Sequence, residues 1–255
     1  MLLLHGQPGG ARDWQGVITE LGDRAEAIAI DRPGWDGHSR AVDLAGNAHA
    51  ALAALDARGI QRATVAGHSL GGAIAAWLAA LYPDRVAALV LAAPAANLAS
   101  LYPADRWLAA PLVGELASVT ALSGLGLALS IPRLRRRIAG AAGIQPNYLR
   151  TARRALLTPA AWRAYAAEQR WLIRDLPALE RQLGAIRAPT TIVVGAADRI
   201  VPPEASRKLA TQIDGARLVV HERAGHLLPQ RNPGLIADAI VAALDRTPSS
   251  TLGGG

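Results

Sequence analysis

The amino-acid sequence predicts an α/β fold, a mostly parallel central sheet with helices on both faces, plus one inserted helical segment. Three observations carry this. Short, wholly apolar runs such as Leu2–Leu4 and Val86–Ala92 read as strands buried on both sides. They alternate with longer segments whose apolar residues recur every three to four positions. The alternation lapses only between Ala95 and about Arg187, where helical patterns follow one another.

The elements follow in order. Leu2–Leu4 is a strand that feeds the tight loop His5-Gly6-Gln7-Pro8-Gly9-Gly10, followed by a helix from about Asp13 to Leu21. Ala25 to Ile30 is the next strand, ending at Asp31, and Arg32 to Ser39 is rich in turn formers. From Val42 to Leu55, residues Leu44, Ala48, Ala51, Leu52 and Leu55 share one helical face. A strand over Ala63–Ala66 runs into Gly67-His68-Ser69-Leu70-Gly71-Gly72. The helix after it turns Ile74, Trp77, Leu78 and Leu81 inward. Strands over Val86–Ala92, Thr190–Val194 and Arg217–Val220 follow, then a last helix carrying Leu235, Ile236, Ala239, Ile240, Ala243 and Leu244. This divides the chain into a core of residues 1–94 and 188–247, a helical lid of residues 95–187, and a flexible tail of residues 248–255.

Composition narrows the function. The chain has 255 residues, ample for one buried core, and no cysteine, so disulfides and thiolate metal sites are excluded. The net charge is +7 and Lys208 is the only lysine, which reads as a genome that encodes Arg in place of Lys. The densest basic run is Arg133, Arg135, Arg136 and Arg137, with Arg150, Arg153 and Arg154 beyond it. No aromatic residues interleave with these arginines in the way a single-strand binder would need, so nucleic acid is not an expected partner. The N-terminus lacks a basic start and its apolar run stops after four residues, so it is not a signal peptide and a cytoplasmic location is expected. Leu116 to Ile131 carries no charge, but sixteen helical residues reach only about 24 Å, short of a roughly 30 Å bilayer core. Apolar lid helices are the preferred reading, and transient contact of the lid with a membrane surface is the other.

Gly67-His68-Ser69-Leu70-Gly71 matches G-x-S-x-G between a strand and a helix. In that setting the serine occupies a strained turn that lifts its hydroxyl clear of the sheet. The flanking glycines are needed because the backbone two residues before and after closes on itself.

With these landmarks the chain resembles the α/β-hydrolase superfamily, in its lid-bearing serine esterase-like branch. The resemblance covers Leu2 to about Leu244. It rests on His5-Gly6-Gln7-Pro8-Gly9, Asp31-Arg32-Pro33-Gly34, Gly67 to Gly72, and the pair Gly195-Ala196-Ala197-Asp198 with Ala224-Gly225-His226. It implies Ser69 as nucleophile, Asp198 as acid and His226 as base, in the family's order. It also implies that His5 and His68 brace loops around the site, with Gly6, Gly67 and Gly71 supporting it. Members usually begin with two further strands, whereas this sequence starts at the third; truncation, a misplaced start and a sheet shorter on that edge are the alternatives, and an uncovered edge would invite pairing with another chain.

The residues support the same assignment separately. Asp198 follows a strand's C-terminal end, where α/β sheets gather their sites. A helix-capping role is its alternative. His226 sits in a loop after the last strand, and His221 is the rival base. Asp31 is expected to anchor the Arg32-Pro33-Gly34 turn. The N–H groups of Gln7 and Leu70 are the expected oxyanion donors. Trp107, Leu108, Leu112, Leu125, Leu129 and Trp171 are candidate walls of an apolar substrate pocket, with Trp35 facing it.

The expected activity is cofactor-free, metal-free hydrolysis of a small to medium apolar carboxylic ester through an acyl-enzyme. A C–C bond hydrolase, a lactonase or a perhydrolase could use the same triad. A non-catalytic binding protein on the same fold is the alternative from another class. Oligomeric state is left open.

Overall fold

The computed structural model describes residues 1–246; the expected tail, residues 248–255, lies outside the described residues. Six parallel strands form one sheet in the order β2-β1-β3-β4-β5-β6. They are β1 (Leu2–Leu4), β2 (Ile28–Ile30), β3 (Ala63–His68), β4 (Val86–Ala92), β5 (Thr190–Gly195) and β6 (Arg217–His221). The edge at β2 is only three residues long.

Successive side chains of a strand point to opposite faces, and the packing follows this. Leu2, Leu4, Val65, Leu89 and Ile192 join one apolar cluster. Leu3, Ala66, Val90 and Val193 join the other. The first face is covered by α2 (Leu44–Asp56), α3 (Leu70–Leu81) and α9 (Pro203–Gln212). The second is covered by α1 (Gln15–Leu21) and α11 (Pro233–Leu244), with Trp14 wholly buried beneath them.

The predicted elements shift at their ends. The first helix opens as a 3₁₀ turn over Ala11–Trp14, because the Asp13 carboxylate accepts from the Gly10 N–H and tightens the entry. The second strand pairs only over Ile28–Ile30, since β1 is itself three residues long. Leu81, expected inward, is exposed at the end of α3.

Five helices lie between β4 and β5: α4 (Asp105–Ala109), α5 (Val113–Ala128), α6 (Pro132–Ala142), α7 (Pro146–Leu156) and α8 (Pro159–Gln182). Proline begins α6, α7 and α8, where its missing N–H costs nothing. Thr158 caps α8 by accepting from the Ala161 N–H at 3.2 Å. Gly143 ends α6 in the left-handed conformation, at φ 63°. Leu122, Leu129, Ala139, Leu149 and Leu156 form a small cluster of the insert's own. α8 then returns to the sheet, burying Leu172, Leu176 and Leu179 in the first-face cluster. A four-residue helix α10 (Leu228–Arg231) precedes α11.

Candidate active site

The loops at the C-terminal ends of β1, β3, β5 and β6 converge. Ser69 lies between β3 and α3 at φ 53°, ψ −120°, a conformation that L-residues rarely adopt. The turn is clamped from both sides: its N–H donates to the Ala92 carbonyl at 3.0 Å, and its carbonyl accepts from Gly72 and Ala95 at 2.9 and 3.1 Å. The flanking glycines are sterically required. A Cβ on Gly67 would lie 2.2 Å from the Gly71 carbonyl oxygen, and one on Gly71 would lie 2.2 Å from that of Leu4. Gly6 packs so closely that its Cβ would lie 3.1 Å from the Cβ of Ser69.

Asp198 and His226 meet directly, with 2.8 Å between Asp198 Oδ2 and His226 Nδ1. An ionised carboxylate only accepts, so Nδ1 carries the proton and Nε2 is left as the basic atom. The other Asp198 oxygen accepts from the N–H groups of Ile200 and Val201 at 2.8 and 3.0 Å. These bonds fix the carboxylate's orientation. Asp198 is not the cap of α9, whose N-cap is Pro202. His221, the rival base, ends β6 with its Nδ1 buried and unpartnered.

The Ser69 hydroxyl forms no hydrogen bond with any described residue, His226 included. Ser69 is 8% exposed. Such contacts are often long without substrate and tighten when it binds. The backbone N–H groups of Gln7 and Leu70 likewise donate to no described residue. Leu70 opens α3, so its N–H belongs to the unsatisfied first turn of a helix.

The two flanking histidines are neutral braces. His68 Nε2 donates to the His226 carbonyl at 2.9 Å. Burial, and next the charge of His226, hold its pKa down at about 3. His5 accepts at Nε2 from the Arg32 N–H at 3.0 Å and donates from Nδ1 to the Gly6 carbonyl at 2.7 Å. Burial, and then the Arg32 cation, hold it well below the usual histidine range.

Sequence reasoning missed what holds the His5-Gly6 loop. Arg32 is buried, donating from Nε to the His5 carbonyl at 3.0 Å and from Nη2 to the Gly6 carbonyl at 3.1 Å. It also contacts Asn47 and forms an ion pair with Glu168 of α8. Burial pushes the Glu168 carboxyl up, against the pull of Arg32. Asp31 does not anchor the following turn as expected. Its carboxylate reaches back to the Ala11 N–H at 2.7 Å, because the first loop passes beside it.

A cavity of about 270 Å³ opens against Gly6, Gln7, His68 and His226, with Trp35 on its wall. Leu125 and Leu129 line it as expected. Trp107, Leu108, Leu112 and Trp171 do not. The first three lie on α4 and the loop after it, at the outside of the insert, with Trp107 71% and Leu112 82% exposed. Trp171 faces a separate open groove beside Glu115, Arg163 and Arg170. The missed walls are Ile138, Ile144, Tyr148, Leu149 and Leu156, on or beside α6 and α7. Tyr148 also ties the insert to the core, donating to Asp13 at 2.6 Å. Burial raises the pKa of both groups. Among the described residues no three His, Asp or Glu side chains cluster as metal ligands would.

A family model described as alpha/beta hydrolase fold matches residues 1–230. A 2-hydroxy-6-oxo-6-phenylhexa-2,4-dienoate hydrolase of Comamonas testosteroni is 30% identical, over 89% of this chain and 80% of that protein. A pimeloyl-[acyl-carrier protein] methyl ester esterase of Neisseria meningitidis is 30% identical, over 88% of this chain and 84% of that one. Among solved structures, an enol-lactonase from Burkholderia xenovorans superposes with a TM-score of 0.74 at 20% identity, covering 96% of this chain and 90% of that chain.

Proposed function

Since this chain belongs to the α/β-hydrolase fold family, we propose that it is a serine hydrolase acting on a small to medium apolar carboxylic ester. His226 Nε2 takes the Ser69 proton as Oγ attacks the ester carbonyl, and the oxyanion is stabilised by the N–H groups of Gln7 and Leu70. His226 then protonates the leaving alcohol. Water, deprotonated by the same imidazole, releases the acid and restores the serine. Asp198 holds the tautomer and offsets the imidazolium charge. The helical insert serves as the lid.

The observation that carries the reading is the 2.8 Å Asp198–His226 bond beside a serine held at positive φ. A mostly apolar cavity of about 270 Å³, just below the usual range for ligand pockets, favours a small acyl group. The test is a panel of p-nitrophenyl esters of rising chain length. Hydrolysis should peak at short to medium acyl chains and vanish in Ser69→Ala. A fluorophosphonate that fails to label folded protein at Ser69 favours a non-catalytic binding protein instead.

A second reading, cleavage of a C–C bond next to a ketone, is favoured by the 30% identity with the Comamonas dienoate hydrolase. A vinylogous diketone assayed beside the esters separates the two. A lactone substrate belongs in the same panel.

A further inference from the structure

The charge of this chain is segregated. The 52 residues from Leu116 to Ala167 hold eight arginines and no aspartate or glutamate, while the remainder sets nineteen Lys/Arg against twenty Asp/Glu. The net charge of +7 therefore arises wholly in the insert. Arg133, Arg135, Arg136 and Arg137 on α6, and Arg150, Arg153 and Arg154 on α7, form no ion pair with any described residue. Like charges gathered without counter-charges repel, and this raises the free energy of the folded state unless something anionic meets them.

Exposed apolar surface is segregated to the same place. Among the described residues, eight of the eleven exposed large apolar side chains fall between Tyr102 and Ile131. On α5, the exposed positions Val113, Leu116, Thr120, Gly124 and Leu127 recur every three or four residues and form one outward stripe. Leu116 is 70% and Leu127 61% exposed on it. A water-facing helical stripe is ordinarily polar. At the head of the stripe Leu112 sits at φ 64°, a strained conformation for leucine, and its side chain points into solvent. At the other end the stripe reaches Ile131 and the first arginines of α6.

We propose that this face of the insert docks on an anionic lipid bilayer, with the leucines entering the headgroup boundary and the α6 and α7 arginines meeting lipid phosphates. Apolar insertion combined with attraction to anionic lipid is the chemistry of an interfacial surface. A second copy of the chain would bring arginines against arginines. A nucleic acid would leave the leucines unaccounted for. No single helix among the described residues is long and apolar enough to cross a membrane; α5 and α6 match a span only as a pair, bent by 106° at their junction, and the four arginines of α6 favour the bilayer surface over its interior. Leu125 is both exposed and a wall of the cavity, which brings the candidate site next to the docking face.

The test is flotation of the whole chain with vesicles of phosphatidylcholine alone and with vesicles in which phosphatidylglycerol replaces part of it. Binding should be roughly tenfold or more stronger to the anionic vesicles and should weaken with salt. Arg136→Glu with Arg137→Glu should abolish the anionic preference. Leu112→Ser with Leu116→Ser should reduce binding while leaving its salt dependence in place. Both pairs sit at exposed positions, and a melting curve checks that each variant folds. Equal or absent binding to the two vesicles overturns the proposal. So does binding to a soluble polyanion as strong as to vesicles and untouched by the leucine changes, because the partner is then an acidic macromolecule. The assay reads no turnover, so its outcome is independent of the esterase reading.

Discussion

Arg32 Nε donates to the carbonyl oxygen of His5 at 3.0 Å, so a buried cation holds the loop that presents the Gln7 N–H. The same guanidinium pairs with Glu168, 136 positions later, and links that loop to the insert's longest helix. Arg32→Ala should destabilise the fold by roughly 3–5 kcal/mol, because it leaves the Glu168 carboxyl buried and unpaired. Glu168→Gln should also destabilise, and the double change should cost less than the sum of the two. Urea midpoints for the three variants decide it; strict additivity would mean that the pair is not coupled.

If the proposed triad operates, removing Ser69 or His226 by alanine should each abolish nearly all hydrolysis of the best p-nitrophenyl ester, and removing both should cost little more, since the groups would act as a unit. Asp198→Asn should keep the fold but lower kcat by about 10⁴, as seen where the equivalent exchange yields the wrong imidazole tautomer. Steady-state rates on the best p-nitrophenyl ester provide the readout. Nearly full activity in Asp198→Asn would remove the acid from the proposed triad.

Two glycines should respond oppositely to alanine. At Gly71 the added Cβ would sit 2.2 Å from the Leu4 carbonyl oxygen, so the first strand or the turn at Ser69 must shift and soluble protein should be lost. At Gly124, in the middle of α5, nothing lies within 4 Å. There alanine should stabilise by about 0.5–1 kcal/mol through helix propensity. Thermal melts of the two variants test this directly.

Acid should weaken the fold through two buried neutral histidines. His68 is held near 3 and His5 well below its usual value, whereas both titrate near 6.5 when unfolded. Between the folded and unfolded values the unfolded chain binds more protons, so stability rises with pH there. The contribution is complete above about pH 6.5 and is lost as pH falls from there toward 3. Asp13 and Glu168, raised by burial, act in the opposite sense just above the ordinary carboxylate range, since there the folded chain holds the extra protons. Urea unfolding from pH 8 to 4 should show a shallower decline in His68→Gln than in the parent. Parallel declines would mean that His68 carries none of it.

The sheet, its helices, the strained turn at Ser69 and the pairing of Asp198 with His226 were legible because each follows from local pattern. Leu2, Leu3 and Leu4 announce a strand covered on both faces, and glycines at 67 and 71 announce backbone closure around residue 69. Most of the cavity walls, beyond Trp35, Leu125 and Leu129, were not. Ile138, Tyr148 and Leu149 lie in segments crowded with arginine, where exposed charge hides a narrow apolar face. Trp107 and Leu112 looked like walls because they are large and apolar, yet they turn outward. Arg32 read only as the start of a turn, and its partner Glu168 is too distant in the chain to leave any periodic trace.

The backbone at Ser69 has a thermodynamic consequence of its own. A residue with a side chain at φ 53° costs roughly 1–3 kcal/mol that glycine would largely avoid. Ser69→Gly should therefore yield a more robust but inert protein. Evolution toward durability alone would favour that exchange, so the hydroxyl persists against a standing incentive to discard it.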